Sequence, residues 1–328
     1  MQQPDTTPMD AHASIDIGSN TLRLLIASPS SKDDSGQPWQ DIAYDHFIVR
    51  LGEGLHHTGR LSEAGMMRAI KALKSFKSTI DQYHVSDEHI FAVATAAVRE
   101  AENGLAFQQR VARELNIHIN IIDGDREASR SLRGAASVLH QQTREDMLLF
   151  DIGGGSTEFI RVSHGHIVDA ISRKLGVVRL VEAHLKSNPP SEKDFMTMKD
   201  TVHRHLDSVE AFWQKNSAHI PSYMVGTAGT VTTLAAVEMN LLPYDPEKVN
   251  NHRISRPTFE GLRDRLLNMS HEQRQEIPTI EAGRADLMIG GLAIIETMME
   301  RWNHNAFISV DAGLLEGNWL ASYDTDSK

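Results

Sequence analysis

One short motif occurs twice, and the repetition restricts the fold more than any other feature of this 328-residue chain. Asp16-Ile17-Gly18-Ser19-Asn20-Thr21 returns 135 positions later as Asp151-Ile152-Gly153-Gly154-Gly155-Ser156-Thr157. Each copy follows an apolar strand and precedes another, residues 22–26 in the first case and 159–162 in the second. A tight turn explains one such loop as well as ligand binding does. Two loops with matched flanks and an aspartate at each strand end predict a duplicated domain whose Gly-rich hairpins face a shared cleft.

Elsewhere strands alternate with helices. Residues 13–27 read as strand, loop, strand, and 30–40, rich in Ser, Asp and Gly, as an exposed loop. A strand is expected at 47–51, leading into Gly52-Glu53-Gly54. Ser62 opens a long helix with Met66, Ile70, Leu73, Ile80 and Tyr83 at helical spacing. Further strands are predicted at 90–94, 117–122, 147–150, 223–225 and 307–310, and helices at 105–115 and 127–139. Ser191 caps another helix reaching about residue 213, with Phe195, Met198, Val202, Val209 and Phe212 as its core stripe. The alternation, with hairpins mixed in, is α/β with mixed sheets.

The loops suit phosphate. Glycine lets backbone N–H groups approach phosphate oxygens, and Ser and Thr hydroxyls add donors. Both loops return into a strand, unlike a P-loop or a dinucleotide fingerprint, and neither of those motifs is present. An aspartate beside a phosphate repels it unless a cation intervenes, so Asp16 and Asp151 imply a divalent metal, Mg²⁺ above all. Either aspartate alone reads equally as a turn cap. Glu158 leaves the second loop seven residues after Asp151, where a hairpin brings it back toward the same cleft. A third loop, Gly226-Thr227-Ala228-Gly229-Thr230, suits a phosphate or nucleotide site at a helix start, or a plain turn. The paired histidines His56-His57, His164/His166 and His203/His205 read as surface residues.

Charge narrows the partners. Lys and Arg number 33 against 44 Asp and Glu, a net of −11, which argues against general nucleic-acid or membrane-surface binding. Residues 123–180 carry eight basic and eight acidic side chains, so an anionic ligand can still be held locally. Cysteine is absent, which excludes disulfides and thiol chemistry. Residues 1–12 show no basic, apolar leader, and the apolar run 287–295 is too short to span a bilayer and ends at Glu296. A cytoplasmic location is expected. The run 287–295 reads as core, and oligomeric state is open, a homodimer included.

Taken with Ala94-Thr95-Ala96-Ala97-Val98-Arg99, Ser172-Arg173-Lys174-Leu175-Gly176, Arg284-Ala285-Asp286 and residues 309–317, these motifs resemble the exopolyphosphatase and guanosine pentaphosphate phosphatase (Ppx/GppA) family. The resemblance covers about residues 13–317 and matches the short, two-domain form. It implies two ribonuclease-H-like domains of the actin, sugar-kinase and heat-shock-70 superfold with an interdomain cleft. The expected division is 1–133 with the first phosphate loop, 134–311 with the second and third, and 312–328 returning to the first domain. It further implies Glu127 as general base, Glu158 as second carboxylate orienting water or metal, and Asp151 and Asp16 at the metal. Arg99 would face the phosphates, with Gly18, Ser19 and Asn20 as one phosphate loop and Gly153, Gly154, Gly155 and Ser156 as the other.

The chain departs from the family pattern where Ser-Gly-x-Glu-Glu-Ala is common. Here the run is Asp123-Gly124-Asp125-Arg126-Glu127-Ala128, and Ala228 replaces a frequent serine. Arg126 either keeps Glu127 ionised, binds phosphate, or simply faces solvent. The activity implied is Mg²⁺-dependent release of terminal phosphate from inorganic polyphosphate. The alternatives are 5′-hydrolysis of guanosine pentaphosphate (pppGpp), a non-catalytic polyphosphate or alarmone sensor, and a kinase or ATPase of the same superfold.

Overall fold

The computed structural model describes residues 10–30, 37–214 and 219–326, the last three by backbone alone. Of the loop expected at 30–40, residues 31–36 lie outside the described residues, as do 1–9 of the expected first domain. The chain forms two compact units, Met1–Ser137 with Leu314–Lys328, and Val138–Gly313.

The first unit begins with β1 (His12–Ile17), β2 (Thr21–Pro29) and β3 (Trp39–Ile48), then α1 (Leu55–Thr58) and α2 (Glu63–Gln82). It continues with β4 (Ile90–Ala94), α3 (Ala96–Glu100), α4 (Gly104–Leu115), β5 (Ile119–Ile121) and α5 (Gly124–Val138). Its sheet order is β3-β2-β1-β4-β5. The pairs β1/β2 and β2/β3 are antiparallel, whereas β1/β4 and β4/β5 are parallel. All six residues of β1 are buried. Ser62 caps α2 by accepting from Gly65 N, and the helix buries Ile70, Leu73, Phe76 and Ile80.

The second unit opens with α6 (Gln141–Glu145), β6 (Asp146–Ile152), β7 (Thr157–Ser163), β8 (His166–Arg173), α7 (Val177–His184) and α8 (Glu192–Trp213). After these come β9 (Tyr223–Thr227), α9 (Gly229–Met239), α10 (Pro246–Val249), β10 (His252–Ser255), α11 (Arg256–Leu267), α12 (His271–Gln275), α13 (Leu287–Arg301) and β11 (Ala306–Ser309). Its sheet order is β10-β11-β9-β6-β7-β8. Leaving β10 aside, the order and directions repeat those of the first unit: an antiparallel hairpin and edge strand on one side, parallel strands on the other. Residues 287–299 of α13 are all buried. A helix apolar on every side has to lie inside a fold, so the 287–295 run is core.

The final helix, α14 (Leu314–Asp326), belongs to the first unit. Asn318 Nδ2 donates to Ser14 Oγ (3.0 Å) and to Phe91 O (2.9 Å), tying the helix to β1 and β4. Gly317 faces Arg130 O so closely that a Cβ would collide with it.

Some elements differ from the sequence expectation. The strand expected at 47–51 runs instead from Trp39 to Ile48, because β2 offers partners all the way from Thr21, opposite Ile48, to Pro29, opposite Trp39. Pairing rather than local hydrophobicity sets its ends. The sequence reading also lacked β8, which forms through a hairpin turn at His164 and Gly165, both with positive φ (51° and 73°). His56, His57, His164 and His166 are exposed as expected, but His203 and His205 are half-buried on α8.

Candidate active site

In the first unit the hairpin β1–β2 builds one loop. Gly18 N donates to Thr21 O (3.1 Å), and a Cβ on Gly18 would stand 2.9 Å from that oxygen. The Ser19 carbonyl accepts from Gly52 N (2.8 Å), and the Asn20 carbonyl accepts from Val49 N and Arg50 N (2.9 Å each). The carbonyls are thereby turned inward. Among the described residues, the N–H groups of Ser19 and Asn20 have no acceptor.

Asp16 precedes this loop and is buried. Its register partner on β2 is Arg23, whose Nη2 and Nε donate to Asp16 Oδ2 at 2.7 and 3.1 Å. Burial works against the Arg23 charge, but Asp16, Glu316 and Tyr44 outweigh it and raise its pKa. Asp16 Oδ1 and Asn20 Oδ1 are buried with no donor among the described residues.

Glu127 lies 6% exposed near the start of α5. Arg99, carried by α3, donates through Nη1 to Glu127 Oε2 (2.8 Å) and to Ile122 O (2.8 Å). The helix starts at Gly124, three residues before the sequence expectation, because Asp123 Oδ1 accepts from Arg126 N (2.8 Å). Aspartate and serine both serve at that capping position, so Asp123 preserves the local geometry.

The second unit repeats the loop. Gly153 N donates to Ser156 O (2.9 Å). Val177 N and Val178 N donate to the carbonyls of Gly153 and Gly154 (3.0 Å each), and Arg179 Nε to that of Gly155 (2.9 Å). Among the described residues the N–H groups of Gly154, Gly155 and Ser156 have no acceptor. Gly176 sits against the backbone of Gly154 and Gly155, where a Cβ would overlap both. Gly176→Ala should therefore lower stability by about 1–3 kcal/mol, the usual effect of overpacking, as a denaturant titration would read.

Asp151 and Glu158 are direct register partners on β6 and β7, and both are buried. Ser172 Oγ donates to Glu158 Oε1 (2.7 Å). The same hairpin position that pairs Asp16 with Arg23 here pairs two carboxylates. Like charges directly opposite on a sheet destabilise it, so this donor set fits a bound cation.

The third loop leads from β9 into α9. Ala228 has φ 69° and ψ 176°, an unfavourable backbone for a residue with a Cβ. The Arg284 guanidinium lies in the space a Cβ on Gly229 would take, so a side chain there would displace it. Arg284 Nε pairs with Glu281 Oε2 at 2.7 Å. Arg23, Ser172 and Arg284 were not among the residues singled out from sequence as site residues. Counting back along the β1–β2 hairpin from its loop would have found Arg23; no local signal marks Arg284 as a neighbour of Gly229.

The structure thus groups Asp16, Gly18, Ser19 and Asn20 at one loop of the first unit, and Arg99 with Glu127 at the start of α5 in the same unit. In the second unit it groups Asp151, Gly153, Gly154, Gly155, Ser156 and Glu158. Among the described residues no helix is long and apolar enough to cross a membrane.

Comparisons with known proteins place the chain among relatives. The chain is 34% identical over 300 residues to a bifunctional 3-dehydroquinate synthase/phosphatase of Fusobacterium nucleatum, covering 90% of this chain but only 44% of that one. It is 31% identical to exopolyphosphatase 2 of Mycobacterium tuberculosis, covering 90% and 92%. It is 28% identical to a guanosine-5′-triphosphate,3′-diphosphate pyrophosphatase of Aliivibrio fischeri, covering 97% and 60%. The chain therefore spans less than two thirds of two of these relatives. The crystal structure of an Aquifex aeolicus Ppx/GppA family member superposes with a TM-score of 0.79 at 30% identity, covering 98% of this chain and all of that one. The paired mixed α/β sheets are the fold of that family. With the Ppx/GppA phosphatase family model matching residues 30–325, the chain belongs to that family.

Proposed function

We propose that the protein is a Mg²⁺-dependent phosphoanhydride hydrolase that releases terminal phosphate from inorganic polyphosphate. The observation that carries this reading is the pair of hairpin loops whose carbonyls are turned inward and whose amides are left open, each beside buried carboxylates. Such amide clusters receive phosphate oxygens.

In the second unit the opposed Asp151 and Glu158 are the residues that would hold Mg²⁺, and in the first unit Asp16 offers its donorless Oδ1 to a cation. All are oxygen donors, as that ion prefers. Bound there, it supplies charge neutralisation at the phosphoryl group. Glu127 accepts the proton of the attacking water. Arg99 orients that carboxylate through its 2.8 Å bond. Ser172 fixes Oε1 of Glu158, leaving that carboxylate placed to orient water or metal. The loop amides of each unit, with Asn20 beside them in the first and Ser156 in the second, are donors suited to phosphate oxygens. The reading keeps the cytoplasmic location expected from the sequence.

The M. tuberculosis relative supports polyphosphate, and the A. fischeri relative supports a second reading, 5′-hydrolysis of pppGpp. Both reactions break a terminal phosphoanhydride. Phosphate release from each substrate, with Mg²⁺ and after chelation, separates them. Polyphosphate should be the better substrate, and chelation should return release to background. Binding without release would replace the hydrolase by a sensor, and ADP formed from ATP would point to a kinase or ATPase.

A further inference from the structure

Arg126 stands where the family commonly has glutamate, and the structure removes one of its two candidate tasks. The guanidinium that holds Glu127 belongs to Arg99. Arg126 is exposed, and among the described residues its guanidinium has no hydrogen-bond or ion-pair partner. One helical turn later, Arg130 lies on the same face of α5, since residues four apart are neighbours. Arg130 is half-buried, yet its partner is a neutral amide, Asn318 Oδ1 at 2.6 Å. Burial lowers the pKa of Arg130, and the Arg126 charge lowers it further.

Other arginines of this protein are satisfied either by carboxylates or, as at Arg173, Arg256 and Arg274, by several carbonyls and hydroxyls. Arg23, Arg161, Arg263 and Arg301 each sit against carboxylates, as Arg99 does. In a chain with a net charge of −11, acids are abundant. Two guanidiniums on adjacent turns nevertheless share no acid, while Asp123 caps the helix and Glu127 is bound by Arg99. Two like charges held together without a counter-charge are compensated when a polyanion lies across both.

We infer that Arg126 and Arg130 form a cationic strip on α5 that holds the phosphate units of the substrate beyond the bond being cleaved. The inference rests on the polyphosphate reading above and adds how a long chain is gripped. A substrate with many phosphates reaches the strip, and one with three gains less from it.

The test compares wild type, Arg126→Glu and Arg126→Lys with long-chain polyphosphate and with tripolyphosphate, at low and moderate salt. For Arg126→Glu the KM for the long chain should rise about tenfold, the scale of one lost charge-assisted contact. The rise for tripolyphosphate should be smaller, the salt dependence with the long chain should weaken, and lysine should restore much of the difference. Equal changes with both substrates, or no change, would overturn the strip. If wild type releases phosphate from neither substrate, the hydrolase reading falls on its own. Equilibrium binding of the same two probes then decides the strip by the same length-dependent loss.

Discussion

Glu127→Gln is expected to lower phosphate release by roughly 10²–10⁴-fold, the usual contribution of a positioned general base. The substitution keeps the size of the side chain, and an amide oxygen can still accept from Arg99 Nη1, which now lies 2.8 Å from Oε2. What is lost is the ability to take a proton. The variant should therefore unfold at nearly the wild-type denaturant concentration and bind polyphosphate with similar affinity. Release surviving within an order of magnitude would show that another group accepts the proton, and Glu158 would then be the residue to replace.

The second large effect concerns stability. Arg161 and Asp169 are register partners on β7 and β8, with side chains 3% and 0% exposed, joined by a bond from Arg161 Nη2 to Asp169 Oδ2. Arg161 also donates to His219 O (2.8 Å), and its guanidinium carbon lies 4.7 Å from the centre of the Trp213 ring. Asp169→Ala leaves a buried cation without its anion, which should lower the unfolding free energy by about 3–5 kcal/mol. Replacing both partners by apolar residues, as in Arg161→Met/Asp169→Leu, should recover most of that loss. A single variant as stable as wild type would mean that the carbonyls and the indole suffice for Arg161. The same two strands carry Glu158 and Ser172, so loosening the pair should also reduce phosphate release at temperatures where the protein remains folded.

Much of the fold can be read locally. Ser62 and Ser191 cap α2 and α8 where the sequence places them, with Ser191 accepting from Asp194 N at 3.1 Å. The core stripe of α8 is buried at Phe195, Met198, Val202 and Val209, with Phe212 partly buried beside it. These features depend on neighbours within one turn, so spacing alone reveals them. Arg274 shows the opposite case. It is 1% exposed and donates to the carbonyls of Leu266, Met269 and Ala285, a role no local pattern predicts.

By itself, the sequence determined that the chain is duplicated, that each half carries a Gly-rich hairpin, and that aspartates stand at the strand ends. Those properties lie in contiguous residues, and a hairpin of fixed turn length sets its own register. Only the tertiary structure decided the partners of those aspartates. Asp16 faces Arg23, while Asp151 faces Glu158, which makes one hairpin an ion pair and the other a carboxylate pair. Only packing could show that Arg99, from a separate helix, holds Glu127, and that among the described residues the Arg126 guanidinium has no ion-pair partner. The physical reason is that charge pairing depends on distance in space, and elements far apart in sequence meet only when the sheets assemble.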